Sequence, residues 1–325
     1  MRFSQHIAHH AHHASPASPL LLNKALGLGI DAGGTQTRWA LAHPSGHIIG
    51  SGQVDGLSAL QMATPGGQQI IRKTLSNIAD TVLSYGAITR IEAGITGYGD
   101  DTQHLRDLLG AAFRVPTKNV NISNDIVIAY RSVFTSGEGY LVYAGTGSIA
   151  AYIDEQGVFH RAGGHGFLLD DAGSGFWIAR EALRQIWRNE DEQTGIWRAS
   201  IMAQKVFAQI GGSDWPSSKE FIYQGTRGEI GKLALAVAAA ADLDPAAYHL
   251  LQNAGRELAR LAMALCQRFG DKPVALGGRV QDLHPVIYQT LRATLPDTIS
   301  LQSCANQAHF AAAHSAAQSS ISTSS

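Results

Sequence analysis

The chain has 325 residues, of which 45% are hydrophobic and 16% charged, and its formal net charge is −1. That is apolar material for a core of about two ordinary domains, and the near-neutral balance without a long basic run gives no indication of a nucleic-acid-binding surface. No apolar run approaches the roughly 20 residues that a membrane-spanning helix needs.

Two distant cysteines, Cys266 and Cys304, offer neither a disulfide framework nor a metal-ligand pair. A reducing cytoplasm fits that usage.

Residues 1–24 hold five of the 14 histidines (His6, His9, His10, His12, His13), followed by Ser15-Pro16-Ala17-Ser18-Pro19. Nothing there can bury a core, so a disordered His-rich tail is expected. It lacks the basic start and apolar centre of a signal peptide. The Ser-rich end, 318–325, is expected to fray as well.

Between the tails, strand signals fall at 25–30, 37–42 and 47–54. Apolar residues then recur at roughly helical intervals over 65–85: Ile70, Ile71, Leu75, Ile78, Val82 and Leu83. A strand at 90–95, a helix at 102–113, a strand at 119–123 and a helix at 126–134 complete a first unit, in the order of a mixed sheet with flanking helices. The second unit opens with strands at 139–144, 148–153 and 158–162. It then turns mostly helical, over 176–189, 197–210, 217–223, 229–242 and 245–269. A buried strand at 273–276 and a helix at 283–294 follow. The Ala-rich stretch 306–317 is expected to pack back on the first lobe. The division predicted is 25–130 for one lobe and 131–317 for a helix-rich second lobe.

A glycine–hydroxyl turn occurs twice in the same frame. The first is Gly34-Thr35-Gln36-Thr37, preceded by Gly33, and the second is Gly145-Thr146-Gly147-Ser148. Each follows a strand, leads into another, and reaches a turn glycine at the same offset, Gly46 and Gly157. Glycine lets backbone approach a ligand, and exposed N–H groups beside Thr or Ser hydroxyls cradle phosphate oxygens. Two such cradles facing each other would clamp a polyphosphate. Two other motifs do not hold. Gly27-Leu28-Gly29-Ile30-Asp31-Ala32 matches a dinucleotide fingerprint, but a strand-like sequence follows where a helix must open. Gly231-Lys232 lacks the Ser or Thr that a P-loop needs next.

Three acidic positions carry candidate chemistry. Asp31 ends a strand beside the first cradle, where a carboxylate could hold Mg²⁺ bridged to phosphates. Asp125 follows Asn124 between a strand and a helix. Alone it reads as a helix cap, but its place between the cradles suits a base that takes a hydroxyl proton. The run 162–175 holds Gly163, Gly164, Gly166, Asp170, Asp171, Gly173, Ser174 and Gly175. Its glycines allow backbone to approach a ligand, and its acids can accept hydroxyl hydrogens.

Taken together, these motifs resemble the BadF/BadG/BcrA/BcrD ATPase family, within the actin, hexokinase and Hsp70 superfamily. The resemblance is greatest to its N-acetylglucosamine and glucosamine kinases. It implies a two-lobed actin-like (ribonuclease H-like) α/β fold with duplicated mixed sheets. It also implies an ATP-dependent transfer to a hydroxyl of an amino sugar, with ATP and Mg²⁺, and a homodimer as a common arrangement. By that likeness, nucleotide binding falls to Gly33, Gly34, Thr35, Thr37, Gly145, Thr146, Gly147, Gly231, Gly277 and Gly278. Asp31 falls to the metal and Asp125 is the catalytic base. Ser58, Asn124, Asp125, Ser148, Gly164, Asp171 and Gly175 fall to the sugar. The chain departs from the family at Gly56-Leu57-Ser58-Ala59 and at Ile149, where relatives carry Asn, and at Asp170-Asp171-Ala172-Gly173-Ser174. The alternative is an ATP- or sugar-binding regulator, or an ATPase activator, without acceptor phosphorylation. Cys266 and Cys304 do not match the closely placed cysteines of the activators.

Overall fold

The computed structural model describes residues 25–99, 103–305 and 307–318. The two expected tails lie outside this range, except Gln318, which ends the last helix. The first half runs β1 (Leu26–Ala32), β2 (Gln36–Ala42), β3 (Ile48–Asp55), α1 (Pro65–Val82), β4 (Ile88–Ile95), α2 (Gln103–Phe113), β5 (Val120–Ser123) and α3 (Asp125–Arg131). The second runs β6 (Tyr140–Ala144), β7 (Ser148–Ile153), β8 (Phe159–Gly163), α4 (Gly175–Glu192), α5 (Ile201–Ile210), α6 (Trp215–Gln224), α7 (Arg227–Gly231) and α8 (Leu233–Ala240). It continues through α9 (Pro245–Phe269), β9 (Val274–Gly277), α10 (Pro285–Thr294), β10 (Leu301–Ser303) and α11 (Ala308–Gln318).

The duplication extends to the sheets. The first has the order β3-β2-β1-β4-β5 and the second β8-β7-β6-β9-β10. In each, the three leading strands form an antiparallel meander and the last two join in parallel. Even the meander corners match. His43 and His47 close the first corner (2.8 Å), and Asp154 and Val158 close the second (3.0 Å). Gly46 and Gly157 sit in both at positive φ, +88° and +82°, where a Cβ would be strained.

Strand alternation decides what covers each face of the first sheet. Leu26, Leu28 and Ile30 of β1, with Trp39 and Leu41 of β2, point into a core shared with Ile71, Leu75 and Ile78 of α1 and Leu105 and Leu109 of α2. Each such side chain contributes about 1.5–3 kcal/mol when fully buried. The opposite residues, Gly27, Gly29 and Asp31, face α11. A Cβ on Gly27 would lie 2.7 Å from Ala313 O, and one on Gly29 would lie 2.9 Å from Ala312 C and closer still to His309 O. Ala40 and Ala42 meet Ala313 and Ala317 on the same face. The glycines that imitate a dinucleotide fingerprint therefore let a chain-terminal helix lie against the strand backbone.

The larger core surrounds the second sheet, with α4, α5, α8, α9 and α10. It also takes Ile126, Ile128 and Tyr130 of α3. The Tyr130 hydroxyl donates to Gly139 O at 3.0 Å. That helix thus touches both halves: its first turn lies against β4, and its far end is buried in the second core.

Several boundaries differ from expectation. The helix expected over 197–210 breaks at Ser200, whose extended backbone caps α5 and whose hydroxyl donates to Asp244 at 2.9 Å. The helix expected over 229–242 divides at Lys232 into α7 and α8. Strand β10 was not expected; it is three residues long and lies at the sheet edge, too short for a periodic signal. Among the described residues, no helix is long and apolar enough to cross a membrane.

Candidate active site

Asp31 and Asp125 lie at the same end of the first sheet. Asp31 pairs with Gly94 of β4, and Gly94 pairs with Ser123 of β5, two residues before Asp125. All three strands run in parallel, so both carboxylates sit at carboxyl ends, where open α/β sheets bind ligands. Gly94 brings them together: a Cβ there would lie 3.0 Å from Asp125 Cα and would overlap Ile128. Asn124 caps α3 by accepting from Ile126 N at 3.1 Å, and Asp125 Oδ1 accepts from the same N–H at 2.9 Å.

Burial pushes the Asp31 carboxyl up to about 7; the neighbouring Asp125 adds to the rise, and Arg38 opposes it. Burial also raises Asp125, against hydrogen bonds from the Ile126 backbone and the Thr96 side chain. Tyr143, at the end of β6, feels both carboxylates, and its phenol is held protonated mainly by burial. Two hard oxygen donors side by side are the kind of ligand that Mg²⁺ takes, and binding the ion would displace the Asp31 proton. Among the described residues, no three His, Cys, Asp or Glu side chains gather to form an all-protein metal cage.

This burial has a measurable sign. Between about pH 4 and about pH 7, the folded protein keeps a proton on Asp31 that the unfolded chain has released. Stability therefore falls as pH rises through that window. The melting temperature of the ligand-free protein is expected to decline over it, and Asp31→Asn is expected to flatten the decline. Parallel pH–melting curves for the two proteins would refute the burial of this charge.

The first turn is closed by Gly33 N donating to Gln36 O at 3.0 Å, and the second by Gly145 N donating to Gly147 O at 2.9 Å. Gly34 and Thr35 are exposed. Thr37 is fully buried in β2, and its hydroxyl has no hydrogen-bond partner among the described residues, so it does not line the turn's outer surface. Helix α4 begins against the second turn, with Gly175 N donating to Gly145 O at 2.9 Å. Ser148 is buried, and its hydroxyl donates to Ala172 O at 2.7 Å, tying the turn to the glycine-rich loop.

Helix α7 lies between the two turns. A Cβ on Gly228 would be 2.6 Å from Thr35 Cγ2, and one on Gly231 would be 3.5 Å from Thr146 Cγ2. Arg227 lies over Gly147 and pairs with Asp171 at 2.5 Å. Asp171 also accepts from Gly166 N at 3.3 Å. Sequence reasoning missed Arg227. Its partner is 56 residues away, and an isolated arginine carries no local signal.

Gly278 follows β9 with φ +88° and packs against Ala144 O, while a Cβ on Gly277 would be 2.8 Å from Cys304 Sγ and 3.1 Å from Tyr143. Gly164, at φ +66°, abuts Ile149. The Ser58 hydroxyl donates to Thr96 O at 3.2 Å and caps the short turn that follows. The structure thus brings Ser58 and Asp125 to Thr96, with Asp31 beside Asp125. It gathers the two turns, Asp171 and Gly231 around α7.

A duplicated mixed sheet, with a glycine turn after the first strand of each half and a carboxylate pair at the strand ends of the first, makes a two-lobed α/β fold of the ATPase kind. The chain belongs to the BadF/BadG/BcrA/BcrD ATPase family, whose model matches residues 28–297. It is 28% identical over 192 residues to an N-acetyl-D-glucosamine kinase of Dictyostelium discoideum; the match covers 53% of this chain and 57% of that protein. The chain thus spans little more than half the length of that curated relative. A crystal structure described as an N-acetylglucosamine kinase from Chromobacterium violaceum is 25% identical, with TM-score 0.65, covering 91% of this chain and 99% of that one. Another, from Porphyromonas gingivalis and described in the same way, is 17% identical, with TM-score 0.67, covering 89% and 98%; it shares the fold.

Proposed function

We propose that the protein is an ATP-dependent kinase that phosphorylates a hydroxyl of an amino sugar of the N-acetylglucosamine or glucosamine class. The observation that carries this reading is the half-buried Asp31–Asp125 pair at the strand ends, beside two phosphate-type turns joined by α7. The activity named for the similar proteins agrees with it.

In this reading the polyphosphate lies between the Thr35 and Thr146 turns. Gly33, Gly34, Gly145 and Gly147 give it backbone access, and Gly231, Gly277 and Gly278 flank the nucleoside. Asp31 would hold Mg²⁺, which would neutralise charge that develops on the transferred group. Asp125 takes the proton of the acceptor hydroxyl as that oxygen attacks the terminal phosphorus. Its raised pKa brings it closer to the operating pH, where a general base works best. Ser58, Asn124 and the loop from Gly164 to Gly175 form the acceptor side, with Ser148 and Asp171 holding that loop's shape. Closure of the lobes would exclude water and suppress hydrolysis. The cytoplasm, which supplies ATP, is the setting this reading requires.

ATP consumption measured with N-acetylglucosamine, glucosamine, glucose and no sugar is the direct test. Turnover is expected to depend on an amino sugar, with a phosphorylated sugar as product. If ATP binds tightly while no sugar stimulates turnover, the ATP- or sugar-binding regulator takes the place of the kinase.

A further inference from the structure

Arg227 is a cation at the second turn whose capacity is only partly used. Its Nη2 donates to Asp171 Oδ2 at 2.5 Å. Its guanidinium lies against the backbone of Gly147: a Cβ there would clash with Nη2 and would be 2.7 Å from Asp171 Oδ2. Phe167 covers one face, 5.4 Å from ring centroid to guanidinium carbon. Nε is buried and has no hydrogen-bond partner among the described residues. The next residue, Gly228, abuts Thr35 of the first turn. The guanidinium therefore lies where the two turns approach each other.

A guanidinium carries several N–H donors in a fixed fork that matches two oxygens of one anion. Here one donor is spent on Asp171, and a buried N–H is left without an acceptor, which is costly. Asp171 itself is held at φ +56°, a left-handed conformation that non-glycine residues rarely adopt, and is 3% exposed. A plain surface ion pair would need neither the strained backbone nor the stripped glycine beneath it. Gly147 gives the cation a seat on the turn itself.

We propose that Arg227 binds the terminal phosphate of the nucleotide, with Asp171 as its counter-ion, so that the cleft distinguishes a nucleoside triphosphate from a diphosphate. The proposal rests on the ATP-dependent reading above and adds a residue to it. A fork of donors at the junction of the turns meets the oxygens of the third (γ) phosphate, which a diphosphate lacks. The competing account is a structural staple that ties the glycine-rich loop to α7, and it predicts no dependence on the third phosphate.

Dissociation constants for Mg-ADP and for the non-hydrolysable Mg-AMP-PNP, measured by calorimetry, separate the two. Arg227→Met is expected to weaken AMP-PNP about tenfold to a hundredfold, the usual range for a hydrogen bond to a charged group, and ADP less than about threefold. Arg227→Lys should fall between wild type and Met, since it keeps the charge and loses the fork. Asp171→Asn keeps Arg227 and should retain the preference for the triphosphate. Equal losses for both nucleotides, no loss for either, or the same deficit in Asp171→Asn as in Arg227→Met would overturn the proposal. If Arg227→Met fails to fold, a wild-type preference in Arg227→Lys overturns it. If the wild-type protein binds neither nucleotide, the ATP-dependent reading falls first.

Discussion

Asp125→Asn is expected to lower turnover by about 10² to 10⁴, the range for loss of a general base, while ATP affinity stays close to wild type. The substitution keeps the shape of the site. An amide oxygen can still accept from Ile126 N, the bond Asp125 makes at 2.9 Å, so α3 keeps its start against Gly94. What disappears is the ability to take a proton. Burial that raises the Asp125 pKa means the ionised form is held at a cost, and Asn removes that cost. The variant should therefore melt no lower than wild type at pH 8. Single-turnover kinetics with a calorimetric ATP titration checks both halves. Near wild-type turnover in the folded variant would remove Asp125 from the chemistry.

The second large effect lies far from the chemistry. Gly29→Val is expected to destabilise the protein by about 3 kcal/mol or more and lower the melting temperature by about 5 °C or more. The new Cβ would fall on the backbone of α11 at His309 and Ala313, and a helix backbone has no rotamer to move. Gly34→Ala is the control. Nothing lies within 4 Å of its added Cβ, so its melting temperature should stay within about 1 °C of wild type, as for ordinary surface substitutions. Thermal denaturation of both variants decides the matter. A Gly29→Val protein as stable as wild type would mean that α11 does not rest on β1.

The sequence exposes those features that local physics writes locally. The antiparallel meanders were legible because apolar runs end at glycines, and Gly46 and Gly157 occupy the positive-φ corners that such runs demand. Helices α1 and α9 were legible because their buried residues recur at helical spacing. The decoy at Gly27 and Gly29 was rejected for the right local reason, a strand following where a helix must open. The reason those glycines exist lay some 280 residues away in α11. The same limit hid Arg227. Nothing near it in the chain signals Asp171 or Gly147, and only folding brings the three together. Ser148 shows the converse: a hydroxyl in a phosphate-like turn reads as a ligand contact, while its bond to Ala172 O gives it a scaffolding part.

The docking of α11 on β1 also sets an order of events during synthesis. Strands β1, β2, β4 and β5 leave the ribosome early, but the helix that covers their Gly27–Gly29 face emerges only after nearly the whole second half. At 5–20 residues per second that delay is on the order of tens of seconds. Until then, one face of the nascent sheet is bare backbone and small side chains, a surface to which other chains can bind. The first sheet therefore completes its packing only after the second half of the chain has been made.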